Sequence, residues 1–111
     1  MDTGQREVVY LGRDNTVDLQ LLALGAPIDL SAVTKFELKD TLCNWTINST
    51  DSASAFDISK GDGILELNLG DEDIPQGEQS AWLILYDALH DDGVVWGKVL
   101  FSVINICAVS N

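Results

Sequence analysis

The chain carries one histidine, His90, and it stands among Asp87, Asp91 and Asp92. Histidine beside a carboxylate is the pair that activates a serine or cysteine nucleophile. That chemistry also needs a pocket and an oriented partner. The polar run holding His90 reads instead as a solvated turn. A second acidic group, Asp71-Glu72-Asp73, offers hard oxygen ligands of the kind calcium takes, as do Asp87, Asp91 and Asp92, but neither has EF-hand spacing. Cys43 and Cys107 with a single histidine fall short of a four-ligand zinc set. Gly61-Asp62-Gly63 lacks the helix and the Lys-Ser/Thr pair of a phosphate loop. The residue types therefore point to no catalytic, cofactor or metal site, and the expectation is a protein that is not an enzyme.

Charge narrows the partners. Eighteen acidic residues against 6 basic ones leave a net charge of −12 over 111 residues. A nucleic-acid backbone is bound by Lys and Arg that displace counterions, so no nucleic-acid ligand is expected. An acidic surface favours solubility, basic partners or divalent cations. No apolar run reaches the length of a membrane span, and residues 1–7 lack the pattern of a signal peptide. The expectation is a protein made in the cytoplasm, with no membrane partner. In that setting Cys43 and Cys107 are expected as reduced, largely buried thiols, unless their strands are neighbours.

The elements that must position any site are short. Ser80–Val103 reads as a β-hairpin, with Ala81–Tyr86 and Val94–Val103 flanking a polar turn that ends at Gly93. Trp82, Ile84 and Tyr86 fall on one face of the first strand. Val95, Val99, Phe101 and Val103 share a face of the second, and Trp96, Lys98, Leu100 and Ser102 the other. Before the hairpin, Glu7–Leu11, Thr16–Leu24, Val33–Lys39, Leu42–Asn48, Ala55–Ser59 and Ile64–Leu69 read as strands separated by turn residues. Cys43, Trp45 and Ile47 are expected on one face, and Asp71–Ile74 is expected as one helical turn. The pattern predicts a single all-β domain over residues 1–111, an antiparallel immunoglobulin-like β-sandwich of about seven or eight strands, with a small barrel as the alternative. Residues 104–111 are expected as a strand extension or tail.

Three tryptophans and an apolar tail supply the contact candidates. Trp45 aligns with core residues. If the faces of Trp82 with Tyr86 and of Trp96 coincide, they build an aromatic patch, either for packing or for contact. Ile104 and Ile106 alternate with polar neighbours beyond the hairpin, and an uncovered apolar strand calls for a pairing partner. The contact candidates are Trp82, Tyr86, Trp96, Ile104 and Ile106.

The sequence phrases Asp14–Leu19, Ala26–Ser31, Val33–Asp40, Gly63–Leu67, Asp73–Gly77 and Ala81–Asp87 follow a recognisable order. In that order the chain resembles the immunoglobulin-like N-terminal domains of phage baseplate upper proteins and related small phage tail and virion proteins. The resemblance covers about residues 12–103. It implies a non-enzymatic structural or accessory protein of the virion, in tail, baseplate or head surface, made in the host cytoplasm. Its partners would be other virion subunits or further copies of itself. Two other readings start from the residues: an acidic phage-encoded inhibitor that mimics nucleic acid, motivated by the charge, and a sugar- or calcium-binding module, motivated by aromatics beside acidic loops.

Overall fold

Short runs of alternating apolar and polar residues bury one face each, and pairing such runs edge to edge is how a chain without helical periodicity hides them. The computed structural model describes residues 2–105, with side chains from residue 7 onward. In chain order the strands are β1 (Asp2–Tyr10), β2 (Val17–Gln20), β3 (Leu22–Ala23), β4 (Ala26–Pro27), β5 (Lys35–Asp40), β6 (Thr46–Asn48), β7 (Phe56–Asp57), β8 (Ile64–Leu67), β9 (Gly77–Asp87) and β10 (His90–Ile104). Two 3-10 turns, Leu30–Ala32 and Ala53–Ala55, are the only helical pieces among the described residues. The all-β class stands.

Five strands form the main sheet in the order β1-β10-β9-β5-β6, three form a second sheet, β2-β8-β7, and β3 pairs with β4. One core takes side chains from both larger sheets. Val9, Phe36, Leu38, Ala81, Leu83, Val99, Phe101 and Val103 come from the first, and Val17, Leu19, Phe56, Leu65 and Leu67 from the second. Phe36 and Phe56 stack across it, with centroids 5.9 Å apart and planes 12° apart.

The sheet is not purely antiparallel. β1 runs parallel to β10, with Val9 opposite Val103 and Tyr10 opposite Ile104. Parallel neighbours are joined through a long stretch of chain, so no local turn signal announces them. The strands also outnumber the seven or eight expected, because long runs are cut by turns. Thr16–Leu24 breaks into β2 and β3, and β3 meets β4 around Leu24 and Gly25, both at positive φ (54° and 80°). That is the backbone of a tight hairpin turn, a place where Asn-Gly is the favoured pair. Asp71–Ile74 winds no helix. It stays a turn, with the Ser52 hydroxyl donating to Glu72 Oε1 at 2.9 Å and Ile74 buried.

The β5–β6 connection corrects the expected strand Leu42–Asn48. Only Thr46–Asn48 is strand. Asp40, buried at the end of β5, accepts from the Asn44 amide at 3.0 Å, and its carbonyl accepts from the Cys43 amide at 2.8 Å. The turn this builds puts Cys43 at φ 62°, exposed, away from buried Ile47. Cys107 lies outside the described residues.

Burial sorts the consequences of substitution. Phe101→Ala removes a wholly buried ring and is expected to cost about 3–5 kcal/mol by chemical denaturation. Leu24→Asn replaces a fully exposed leucine in left-handed backbone and should raise stability by up to about 1 kcal/mol. A loss of stability in Leu24→Asn would contradict the assigned turn.

Candidate functional site

The β9–β10 hairpin turns through only Ala88 and Leu89, so His90, Asp91 and Asp92 belong to β10 rather than to a loop. Asp87 closes the turn: its Oδ1 accepts from the Leu89 amide at 2.9 Å and lies 2.7 Å from His90 Nδ1. The bond to His90, more than any other contact, holds the Asp87 carboxyl below the usual carboxylate range.

The two strands do not advance in step. From His90 to Val94, β10 moves four positions while β9 moves two, from Asp87 to Leu85. Gly93 sits in this irregular stretch at φ 83°, and a side chain there would strike Ile84 and the Tyr86 ring. A second bulge lies between Val95, opposite Ile84, and Gly97, opposite Leu83. The extra residue there is Trp96. A bulge re-aims side chains, and this one reverses the expected faces of two residues. Trp96 packs against the core, while Val95 is 57% exposed on the outer face.

Trp82, Tyr86 and Trp96 therefore do not form one patch. Trp82 and Tyr86 lie on the outer face of the main sheet, and Trp96 lies on the inner side beside Leu85 and Val94. Ile104 is exposed on the outer face opposite Tyr10. Ile106 lies outside the described residues.

The outer face has a defined chemistry. Val8, Tyr10, Trp82, Val95 and Ile104 are exposed large apolar residues on it, spread over β1, β10 and β9. Lys98 and Lys39 are the two cross-strand partners of Trp82, and the Lys98 ammonium stands 5.4 Å from the Trp82 ring. Lys35, opposite Tyr86, stands 4.2 Å from that ring. Cations over aromatic faces gain from the ring quadrupole. Three of the chain's 6 basic residues thus frame two aromatics on one sheet face of an acidic molecule.

Tyr86 is fixed further by Glu37. Its hydroxyl donates to Glu37 Oε1 at 2.5 Å, and this bond, with burial adding to it, pushes the Tyr86 pKa up from 10.0 to about 12. On the second sheet, Asp18 and Glu66 face each other across β2 and β8, and Lys60 Nζ lies 2.8 Å from both. Paired carboxylates in that position repel unless a cation joins them. The acidic groups singled out as calcium candidates do not converge: among the described residues no three His, Cys, Asp or Glu side chains gather at a metal-sized site.

A cleft of about 350 Å³ opens on the inner side of the hairpin, lined in part by Trp96, His90, Asp87 and Asp29. Neither Asp29 nor Val95 stood among the contact candidates, since Asp29 lies in a short link and Val95 falls in phase with buried Val99 by simple alternation. Gly97, an isolated glycine inside a strand pattern, was the signal for the bulge that displaces Val95. Comparison of the chain with protein-family models, curated proteins and solved structures returns no match.

Two measurements test this geometry. Tyr86 favours its neutral form in the folded state, so the stability it contributes is full below pH 10 and is lost as pH rises toward 12. Tyr86→Phe is expected to flatten the stability–pH curve in that window, and an unchanged slope would contradict the Glu37 bond. Lys60→Met is expected to destabilise the protein, more at low than at high salt, by leaving Asp18 facing Glu66. Chemical denaturation at two ionic strengths reads the difference.

Proposed function

We propose that the chain is a non-enzymatic structural or accessory protein of a phage particle, acting through assembly with other subunits. The observation that carries this reading is the outer face of the main sheet. Monomeric proteins scatter exposed apolar residues singly, whereas here Val8, Tyr10, Trp82, Val95 and Ile104 share one face of three hydrogen-bonded strands. Aromatic residues with apolar neighbours are the usual anchors of protein contacts. The long β9–β10 pairing keeps this face rigid, which lowers the cost of ordering it on binding.

Within this reading the two larger sheets are taken as an immunoglobulin-like sandwich with β1 added in parallel. The acidic remainder of the surface keeps free subunits apart and soluble before assembly. Lys35, Lys39 and Lys98 on the contact face favour a partner that brings carboxylates. They also favour assembly over mimicry of nucleic acid, since they interrupt any acidic stripe on that face. The tail beyond Ile104 is proposed to extend the same contact.

The experiment is recovery of the chain with purified particles. Full-length protein is expected to co-purify in fixed proportion to other virion subunits. Trp82→Ser combined with Val95→Ser should abolish incorporation while leaving the unfolding midpoint near that of the parent, because both side chains are solvent-exposed. Protein found only free in the lysate, or incorporation indifferent to these substitutions, would overturn the proposal.

A further inference from the structure

The cleft inside the hairpin has the volume of a small-molecule site, about 350 Å³. Leu85, Val94 and Trp96 line it from the main sheet, and Ile28 and Val33 line it from the segment that follows β4. Into this apolar lining come Asp29, Asp87 and His90, all exposed or half-buried and so at its opening. Among the described residues no lysine or arginine lines it.

Both carboxylates are held in place by local bonds. Asp29 Oδ1 accepts from the Ser31 amide at 3.0 Å and from the Ser31 hydroxyl at 2.6 Å. Asp87 Oδ1 is engaged by the Leu89 amide and by His90. Among the described residues no bond engages the second carboxylate oxygen in either case, which leaves it to accept from a ligand. The same bonds hold both carboxyls below the usual range, Asp29 through Ser31 and Asp87 through His90, so both are anionic at neutral pH.

We propose that this cleft binds a small organic cation, an ammonium on an aromatic or branched apolar body. The body packs against Trp96, Leu85 and Val33, and the ammonium meets the carboxylates of Asp29 and Asp87. A neutral apolar ligand would strip water from two anions without pairing them, which costs free energy. An anion would be repelled by the same two groups and by the charge of the whole chain. A cation on an apolar body satisfies the carboxylates and packs against the apolar lining. This site lies on the sheet face opposite the assembly surface and stands independently of it.

The test uses full-length protein and phenethylamine as the probe, titrated by NMR while the Trp96 indole and His90 ring signals are followed. The amine is expected to shift both signals saturably. Phenylethanol and phenylpropionate, of similar shape, should bind at least about tenfold more weakly, the scale of one lost charge-assisted bond. Asp29→Asn and Asp87→Asn keep an acceptor for Ser31 and Leu89, so the turns persist, and each should weaken the amine by about tenfold. Trp82→Ser, on the other face, should leave binding unchanged. Equal binding of the alcohol, undiminished binding by both Asn variants, or loss of binding in Trp82→Ser would overturn the assignment.

Discussion

The register between β9 and β10 is the constraint on which the rest of the structure depends. Eleven residues of β9, from Gly77 to Asp87, face a longer stretch of β10, and the surplus is absorbed in two bulges. Below the second bulge the strands alternate regularly, so Ala81, Leu83, Val99, Phe101 and Val103 all enter the core. Above it the phase is shifted, and Val95 and Trp96 exchange the faces that simple alternation would give them. A one-residue slip turns every later side chain over. The bulge therefore decides which aromatic is solvent-facing on the sheet and which lines the inner cleft. β1 and β5 pair with the outer edges of this hairpin and inherit its phase.

Electrostatics then divides the surface. The net charge of −12 gives an acidic body, yet Lys35, Lys39 and Lys98 converge on the face that carries Trp82 and Tyr86. Their placement follows from strand pairing, since the cross-strand partners of Trp82 and Tyr86 are lysines. Opposite that face, Asp29 and Asp87 line the cleft together with His90, and among the described residues no lysine or arginine does. One sheet thus presents a lysine-framed aromatic surface outward and a carboxylate-rimmed apolar hollow inward. Among the described residues no hydrogen bond links a serine or cysteine side chain to the Asp87–His90 pair.

Local alternation made much of this legible. Val17 with Leu19, Phe36 with Leu38, and Leu65 with Leu67 and Leu69 are buried as their spacing required, and the two glycines around Asp62 mark the turn before β8. What could not be read follows from features that spacing does not encode. Parallel pairing of β1 with β10 joins segments some ninety residues apart, where no turn residue speaks for it. The Trp96 bulge is a surplus residue, visible in sequence only as Gly97 inside a strand run. Cys43 left the core because Asp40 folds the following residues into a turn through a buried carboxylate. The cleft needed both hairpins in place before Asp29 could stand near Asp87.

The division of the two tryptophans between faces is the claim most open to a direct reading. Acrylamide quenching of two single-tryptophan proteins would measure it, one retaining Trp82 and the other Trp96, with the remaining tryptophans replaced by phenylalanine. Trp82 on the outer face is expected to be quenched strongly, and Trp96, packed against the core, more weakly. Equal quenching of the two, or the reverse order, would mean that β10 pairs without the bulge, and the assigned surfaces would fall with it.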